Sequence, residues 1–207
     1  MQKQRLLEYF QACLNATYVE GENGVSWAVE ERGEDLFILF EASNGLSDWL
    51  NNVNFHAVPY REMRPVWQCH AGFLRAWKSA EADIADAVRG GEERGVCRVT
   101  VIGYSHGAAL AVLCHEWVWY HCPRLREGLC GFGFGGPRVL YGCPPPAVAR
   151  RWENFYLIRN IDDAVTHLPP RVMGYCHVGN LVEIGEAGRY SALDAHRPQS
   201  YLASLEE

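Results

Sequence analysis

Residues 103–107, with the sequence GYSHG, constrain the fold more than any other part of the chain. They follow the β-branched run 99–102, which is typical of a buried strand, and they precede a helical pattern over about 108–121. A serine between two glycines at such a strand-to-helix turn is typical of a nucleophile elbow, whose backbone is strained and closely packed. The segment therefore predicts Ser105 as a nucleophile beside a helix N-terminus, where backbone N–H groups favour negative charge.

The rest of the sequence alternates strand-like and helix-like segments. The predicted helices cover about the first 20 residues and the segment that begins HAGFLRAW at His70. The predicted strands are two around a turn at 32–35, one ending near Tyr60, and two at 129–134 and 155–159, with a late edge hairpin over 175–185.

Strands separated by helices predict an α/β fold with a mostly parallel central sheet that is flanked by helices on both faces. The chain has 207 residues and contains no linker long enough to divide it. We therefore expect one domain over residues 1–207. No run of about 18 apolar residues is present, so no transmembrane helix is expected.

The amino-acid composition limits the kinds of molecule that the protein is expected to bind. Hydrophobic residues make up 48% of the chain and the net charge is −6. The first value favours a folded core, and the second argues against nucleic acid as a partner, because phosphate binding requires clustered lysine and arginine.

The N-terminal segment and the cysteines bear on the cellular compartment in which the protein is expected. The apolar residues Leu6, Leu7, Phe10 and Leu14 have helical spacing rather than the continuous run of a signal peptide. Without a signal peptide, the eight cysteines are expected to be free thiols. These observations predict a cytoplasmic protein, with secretion by another route, or as a trimmed mature form, as the alternative.

A nucleophilic serine needs a histidine base and an acid that orients it, and at an elbow the chain order is serine, acid, histidine. The acid candidates are Asp162 and Asp163, which follow the strand predicted at 155–159, and the residue pattern does not choose between them. The base candidates are His167, His177 and His196, of which His167 lies only four residues from Asp163.

Seven short segments, in order along residues 24–202, resemble the class 3 lipase family, which is typified by fungal triacylglycerol lipases. They are FEASNGLSDW, HAGFLRAW, VIGYSHGAALA, FGGPRV, NIDDAVTHLPP, YCHVG and DAHRPQSYL. The resemblance implies an α/β-hydrolase fold. It selects Asp163 as the acid and His196 as the base. It also implies an oxyanion hole formed by Ser43 and the backbone N–H of His106.

The family also has a short lid after the oxyanion residue, and this implies a lid or acyl-site role for Leu46, Trp49, Leu50 and Val53. These four residues are able to form one apolar face of a helical turn. The alternative for Trp49 is a core aromatic residue on a short helix.

Together, these residues predict a serine carboxylesterase or lipase that cleaves acylglycerols or similar lipid-like esters through an acyl-enzyme. The alternatives are a phospholipase A1-like or galactolipid-cleaving enzyme, and a catalytically silent binding module on a hydrolase scaffold. No cofactor or metal is required. The expected partners are a lipid or small ester substrate and, transiently, a lipid interface.

Two other motifs favour structural roles. GFGFGG at 131–136 fits a dinucleotide-binding pattern, but the prolines at 144–146 leave no room for the helix that such a site requires. Close backbone packing beside the elbow is the better interpretation. Cys114, His115, His121 and Cys122 lack the spacing of a metal site.

Overall fold

The chain folds around a twisted sheet whose central strand leads into the GYSHG segment. The computed structural model describes residues 3–42 and 55–207. Within these ranges, seven strands form the main sheet in the order β1-β2-β3-β6-β7-β9-β11, and the five from β3 onward are mutually parallel. Their bounds are Val19–Glu20 (β1), Ser26–Arg32 (β2), Asp35–Phe40 (β3), Arg98–Tyr104 (β6), Leu129–Phe134 (β7), Phe155–Asn160 (β9) and Asn180–Ile184 (β11).

Helices cover both faces of this sheet, as the alternating pattern predicts. On one face, α2 and the almost wholly buried α3 pack against Val99 and Val101 of β6. On the other face, α1 and α5 pack against Ile102 and Tyr104 of the same strand. The helices are α1 (Lys3–Asn15), α2 (Ala71–Arg94), α3 (His106–His121), α4 (Pro146–Ala149) and α5 (Pro198–Glu206).

A second, antiparallel sheet lies beside the first, in the order β10-β8-β5-β4. Of its members, only β4 and β10 fall in segments whose sequence predicts a strand. These strands are only two to four residues long, and most of them pair across long stretches of chain, so they leave little local pattern. Their bounds are Ala57–Tyr60 (β4), Trp67–His70 (β5), Leu140–Tyr141 (β8) and Tyr175–Cys176 (β10).

The prediction of a late hairpin over 175–185 is wrong. The strand β10 pairs with β8 in the small sheet, whereas β11 pairs in parallel with β9 in the main sheet. Gly179, with φ +72°, lies between them, and a Cβ there would be 2.4 Å from the carbonyl oxygen of Phe155. The chain therefore crosses from one sheet to the other at Gly179 instead of folding back on itself.

A buried ion pair between Arg151 and Glu116 lies where the small sheet contacts α3. Arg151, in the turn after α4, donates to the Glu116 carboxylate of α3. Trp67 of β5 donates its indole N–H to the same oxygen at 3.1 Å. The carboxylate, guanidinium and indole groups are thus paired inside the core, which limits the desolvation cost of burying them.

None of the helices in the described residues combines the length and the apolar character that crossing a membrane requires.

Candidate active site

Ser105 stands at the junction of β6 and α3, as predicted, and its backbone is strained. Its φ and ψ angles are 56° and −120°, a region that costs a non-glycine residue about 1–3 kcal/mol. The turn is held by a 2.8 Å hydrogen bond that the Ser105 N–H donates to the carbonyl oxygen of Phe134 in β7. The main sheet therefore fixes the position of the serine.

The glycines on either side of Ser105 allow two close backbone approaches. A Cβ on Gly107 would lie 2.3 Å from the carbonyl oxygen of Phe40, at the end of β3. A Cβ on Gly103 would lie 2.2 Å from the carbonyl oxygen of Gly107. Only glycine fits at these positions, so α3 begins directly against the C-terminal ends of the strands.

Ser105, His196 and Asp163 form a continuous chain of hydrogen bonds. The Ser105 hydroxyl donates to Nε2 of His196 at 2.8 Å, and Nδ1–H of His196 donates to Oδ2 of Asp163 at 2.8 Å. A neutral imidazole with its proton on Nδ1 satisfies both bonds. All three residues are buried: Ser105 is 2% exposed, His196 4% and Asp163 0%.

Asp163 is oriented by further donors. Its Oδ1 accepts the Val165 N–H at 2.9 Å, and its Oδ2 also accepts the Tyr201 hydroxyl at 2.6 Å. Tyr201 in turn accepts the Asn160 N–H at 3.1 Å. Tyr201 was not among the predicted site residues. Its only signal was its place in the DAHRPQSYL segment, seven residues after Asp194.

The structure separates the two adjacent acid candidates. The Asp162 carboxylate accepts the backbone N–H groups of Gly188 at 3.0 Å and Tyr190 at 3.3 Å. The hydrogen bond from Gly188 is the main cause that lowers the pKa of Asp162. Asp162 therefore fixes a surface loop, and Asp163 is the residue that contacts the imidazole.

The other two base candidates, His177 and His167, and the nearby His70 have different surroundings. His177 is mostly buried and donates Nε2–H to the carbonyl oxygen of Thr166 at 2.8 Å, and burial lowers its pKa to about 4. The side chain of His167 is exposed. His70 accepts the Gly72 N–H at 3.2 Å and caps the start of α2.

The backbone N–H of His106 lies next to Ser105. Because His106 is the first residue of α3, this N–H has no intrahelical acceptor. Burial, and to a smaller extent nearby His70, lower the pKa of its side chain to about 4. The imidazole is therefore neutral at physiological pH and adds no charge beside the serine.

The glycine-rich segment 131–136 belongs to β7 and the loop after it, and no helix opens there. A Cβ on Gly136 would lie 2.9 Å from the Cβ of Ala108, in the first turn of α3. The segment thus packs beside the elbow, as its glycines predict. The oxyanion candidate Ser43 and the lid candidates lie outside the described residues; the latter are Leu46, Trp49, Leu50 and Val53.

Proteins with related sequences are fungal lipases. A lipase from Rhizopus niveus is 27% identical over 155 residues, which cover 72% of this chain and 38% of that protein. A secreted mono- and diacylglycerol lipase from Malassezia globosa is 32% identical over 174 residues, which cover 82% of this chain and 54% of that protein. The chain thus matches only about half, or less, of the length of these relatives.

The fold is shared with a solved structure of Rhizomucor miehei triacylglyceride lipase. The TM-score is 0.71 at 19% identity, and the match covers 89% of this chain and 81% of that one. This likeness confirms the predicted α/β-hydrolase fold with a mostly parallel sheet flanked by helices.

The prediction of a cytoplasmic protein is wrong. The Malassezia globosa relative is named a secreted lipase, which points to an extracellular location. The helical spacing of residues 6–14 reflects the packing of α1 on the sheet, where Leu6, Leu7 and Phe10 are buried. That spacing therefore describes a folded helix and carries no information about the compartment.

The family comparison spans the elements that carry most of the site. Residues 37–173 match the family model described as Lipase (class 3). The matched stretch runs from β3 through the elbow at Ser105 and past Asp163, and His196 lies beyond its end. Because this match extends over more than half of the sequence, the resemblance is confirmed: the chain belongs to the class 3 lipase family.

Proposed function

We propose that this chain is a serine carboxylic ester hydrolase that acts on lipid-like esters such as acylglycerols. The observation that carries the proposal is the chain of two 2.8 Å hydrogen bonds from Ser105 through His196 to Asp163, built on a strained strand-to-helix turn. This constellation is recognised by its geometry and by the role of each member. Membership of the class 3 lipase family supports it.

The proposed reaction has two halves. The Ser105 oxygen attacks the ester carbonyl carbon while Nε2 of His196 takes the hydroxyl proton, and Asp163 stabilises the resulting imidazolium. The tetrahedral intermediate then expels the alcohol, which receives that proton from His196, and leaves an acyl-enzyme. Water attacks the acyl-enzyme by the same proton route and releases the carboxylic acid and free Ser105.

The developing oxyanion needs donors beside Ser105, and we assign the backbone N–H of His106 and Ser43. Support for Ser43 comes from the path of the chain. The Glu41 carbonyl oxygen lies 2.6 Å from where a Cβ on Gly107 would be, so Glu41 is beside the elbow. Ser43 is two residues further along the sequence. Loss of one such donor typically costs about 2.7–4 kcal/mol of barrier.

The acyl side of the substrate is assigned to Leu46, Trp49, Leu50 and Val53. The assignment rests on sequence order, because the four residues follow Ser43 within ten positions, and on the lid that the class 3 lipase family has after its oxyanion residue. Each methylene of an acyl chain that they dehydrate contributes about 0.8 kcal/mol to binding. We expect Trp49→Ala to lose activity selectively on an octanoyl ester compared with an acetyl ester. Equal loss on both would assign Trp49 to the core.

A substrate panel tests the function as a whole. Wild-type protein and Ser105→Ala are compared on p-nitrophenyl esters of increasing chain length and on triacylglycerol, monoacylglycerol and phospholipid emulsions. We expect hydrolysis of the longer esters and of acylglycerols by the wild type, and at least about a thousandfold loss in the variant. Faster phospholipid cleavage would replace the acylglycerol assignment with a phospholipase A1-like one.

A protein that cleaves none of these esters is either a catalytically silent binding module or an active enzyme whose substrate was not included. An active-site probe distinguishes the two. An organophosphonate ester should label wild-type protein once, at Ser105, and should leave folded Ser105→Ala unlabelled. A wild-type protein that neither reacts with the probe nor cleaves any ester would identify a binding module and overturn the proposal.

A further inference from the structure

Tyr104 is the last residue of β6 and is bonded directly to Ser105. Side chains alternate between the two faces of a strand, and Tyr104 points to the same face as Ile102, the face covered by α1 and α5. The segment that carries His196 leads into α5. The residue next to the nucleophile is therefore directed at the element that holds the base.

Two contacts join Tyr104 to His196. The Tyr104 hydroxyl donates a hydrogen bond to the backbone carbonyl oxygen of His196. The two rings are stacked, with centroids 5.5 Å apart and planes inclined by 23°. One side chain thus restrains both the backbone and the ring of the base.

The position of Tyr104 is itself fixed by packing. It is 6% exposed, and the ring of Phe10 from α1 meets it edge-on at 5.3 Å. Tyr201 packs against it at 6.0 Å. Burial, and then the nearby Asp163 carboxylate, raise the pKa of Tyr104. The phenol therefore keeps its proton and remains a donor to the His196 carbonyl group.

We propose that Tyr104 is a positioning residue for His196, which fixes the imidazole relative to Ser105 through the stacked ring and the hydrogen bond to the His196 carbonyl. The inference rests on the proposed function, in which His196 is the base. Tyr104 and Ser105 are consecutive residues. When the end of β6 moves, Ser105 and the side chain that contacts His196 therefore move together. Such alignment matters since a displacement of about 1 Å is able to cost about a hundredfold in rate.

The ring has a second, electrostatic effect. Among the described residues, the His196 imidazole contacts Ser105 at Nε2, Asp163 at Nδ1 and the face of the Tyr104 ring. An aromatic face attracts a cation within about 6 Å. The Tyr104 ring therefore favours the imidazolium that forms when Ser105 loses its proton.

Two variants separate the hydroxyl from the ring. Tyr104→Phe keeps the stacked ring and should lower kcat about tenfold with KM unchanged, because the His196 backbone loses one anchor. Tyr104→Leu removes the ring as well and should lower kcat about a hundredfold. Tyr156→Phe, a tyrosine whose hydroxyl makes no described hydrogen bond, is the matched control. Wild-type kcat in Tyr104→Phe and Tyr104→Leu would overturn the proposal.

An NMR spectrum of the His196 ring in the Ser105→Ala background provides a readout that does not depend on ester cleavage. The Tyr104 ring stacks on the imidazole, so adding Tyr104→Leu should shift and broaden the His196 ring resonances, because the imidazole loses the contact that holds it. Adding Tyr104→Phe keeps the ring and should leave these resonances in place and sharp. Sharp resonances with Tyr104→Leu would show that the ring only fills space, and would overturn the proposal. If the wild type cleaves no ester, the proposed function fails, and the spectrum still decides the role of Tyr104.

Discussion

The hydroxyl of Tyr201 donates a 2.6 Å hydrogen bond to Oδ2 of Asp163, the same oxygen that accepts Nδ1–H of His196. Tyr201 lies in α5 and His196 in the turn just before it. His196 and a partner of Asp163 thus share one short segment, and Asp163 itself follows the end of β9. Any shift of α5 relative to β9 would disturb both bonds to the carboxylate.

Tyr201→Phe should reduce kcat about tenfold and leave KM unchanged. The variant removes one of the donors that hold the Asp163 carboxylate, and a hydrogen bond to a charged group is worth about 1.5–3 kcal/mol. Steady-state kinetics on a soluble ester measure the effect, with Tyr156→Phe as control. A change in KM alone would assign Tyr201 to substrate binding.

The kcat of Asp163→Asn should be orders of magnitude lower than that of Asp162→Asn. An amide at 163 no longer selects the Nδ1–H tautomer of His196, and the corresponding change in serine proteases costs about ten-thousandfold in kcat. Asp162 binds only the loop at Gly188 and Tyr190, so its variant should stay within about threefold of wild type. Rates for both variants at neutral pH, alongside thermal melts, make the comparison. Equal impairment would show that both carboxylates serve the imidazole.

The elbow and the central strands of the main sheet were predictable because their signals are local, whereas β1 falls within the stretch predicted as helix and β11 was assigned to a hairpin. A β-branched run, two glycines around a serine and a helical period lie within residues 99–121, and no distant residue is needed to interpret them. The same is true of α1, where the spacing of Leu6, Leu7 and Phe10 marks the buried face.

The small sheet and Tyr201 were not predictable because their partners are distant in sequence. The strand β5 pairs with β8 some 70 residues later, and each member is too short to show alternation. Tyr201 contacts an acid 38 positions earlier, and an aromatic residue in a short helix indicates a core position when only its sequence is considered. The choice of Asp163 over Asp162 likewise required the family pattern, since adjacent residues share the same local signal.

Gly107→Ala should destabilise the protein by at least about 2 kcal/mol. The added methyl group would lie 2.3 Å from the Phe40 carbonyl oxygen, and backbone must move to relieve the clash. Gly90→Ala in α2 is the control, because its methyl group meets only the mobile end of Arg94 and should stabilise the helix by about 0.5–1 kcal/mol. Urea unfolding gives both values. A Gly107→Ala protein as stable as wild type would contradict the close approach of α3 to β3.

The buried imidazole of His115 should make stability depend on pH. His115 lies in α3, edge-on to the ring of Phe155, and neither ring nitrogen has a hydrogen-bond partner within the part of the chain that the structure describes. Burial lowers its pKa to about 3, whereas an unfolded histidine has a value near 6.5. The unfolded chain therefore takes up a proton below about pH 6.5, while the folded protein does not until about pH 3. The free energy of unfolding must fall as the pH is lowered through this window.

His115→Phe removes this titration and keeps an aromatic ring against Phe155. Between pH 7 and pH 5 the free energy of unfolding of the variant should fall by about 2 kcal/mol less than that of the wild type. Urea unfolding at pH 7 and pH 5 gives the change in unfolding free energy for each protein. This change between the two pH values does not depend on how the substitution alters the absolute stability. His56→Gln, at an exposed position, should retain the wild-type dependence. If His115→Phe loses as much stability as the wild type over this range, His115 is protonated in the folded protein and must have a partner that stabilises the charge.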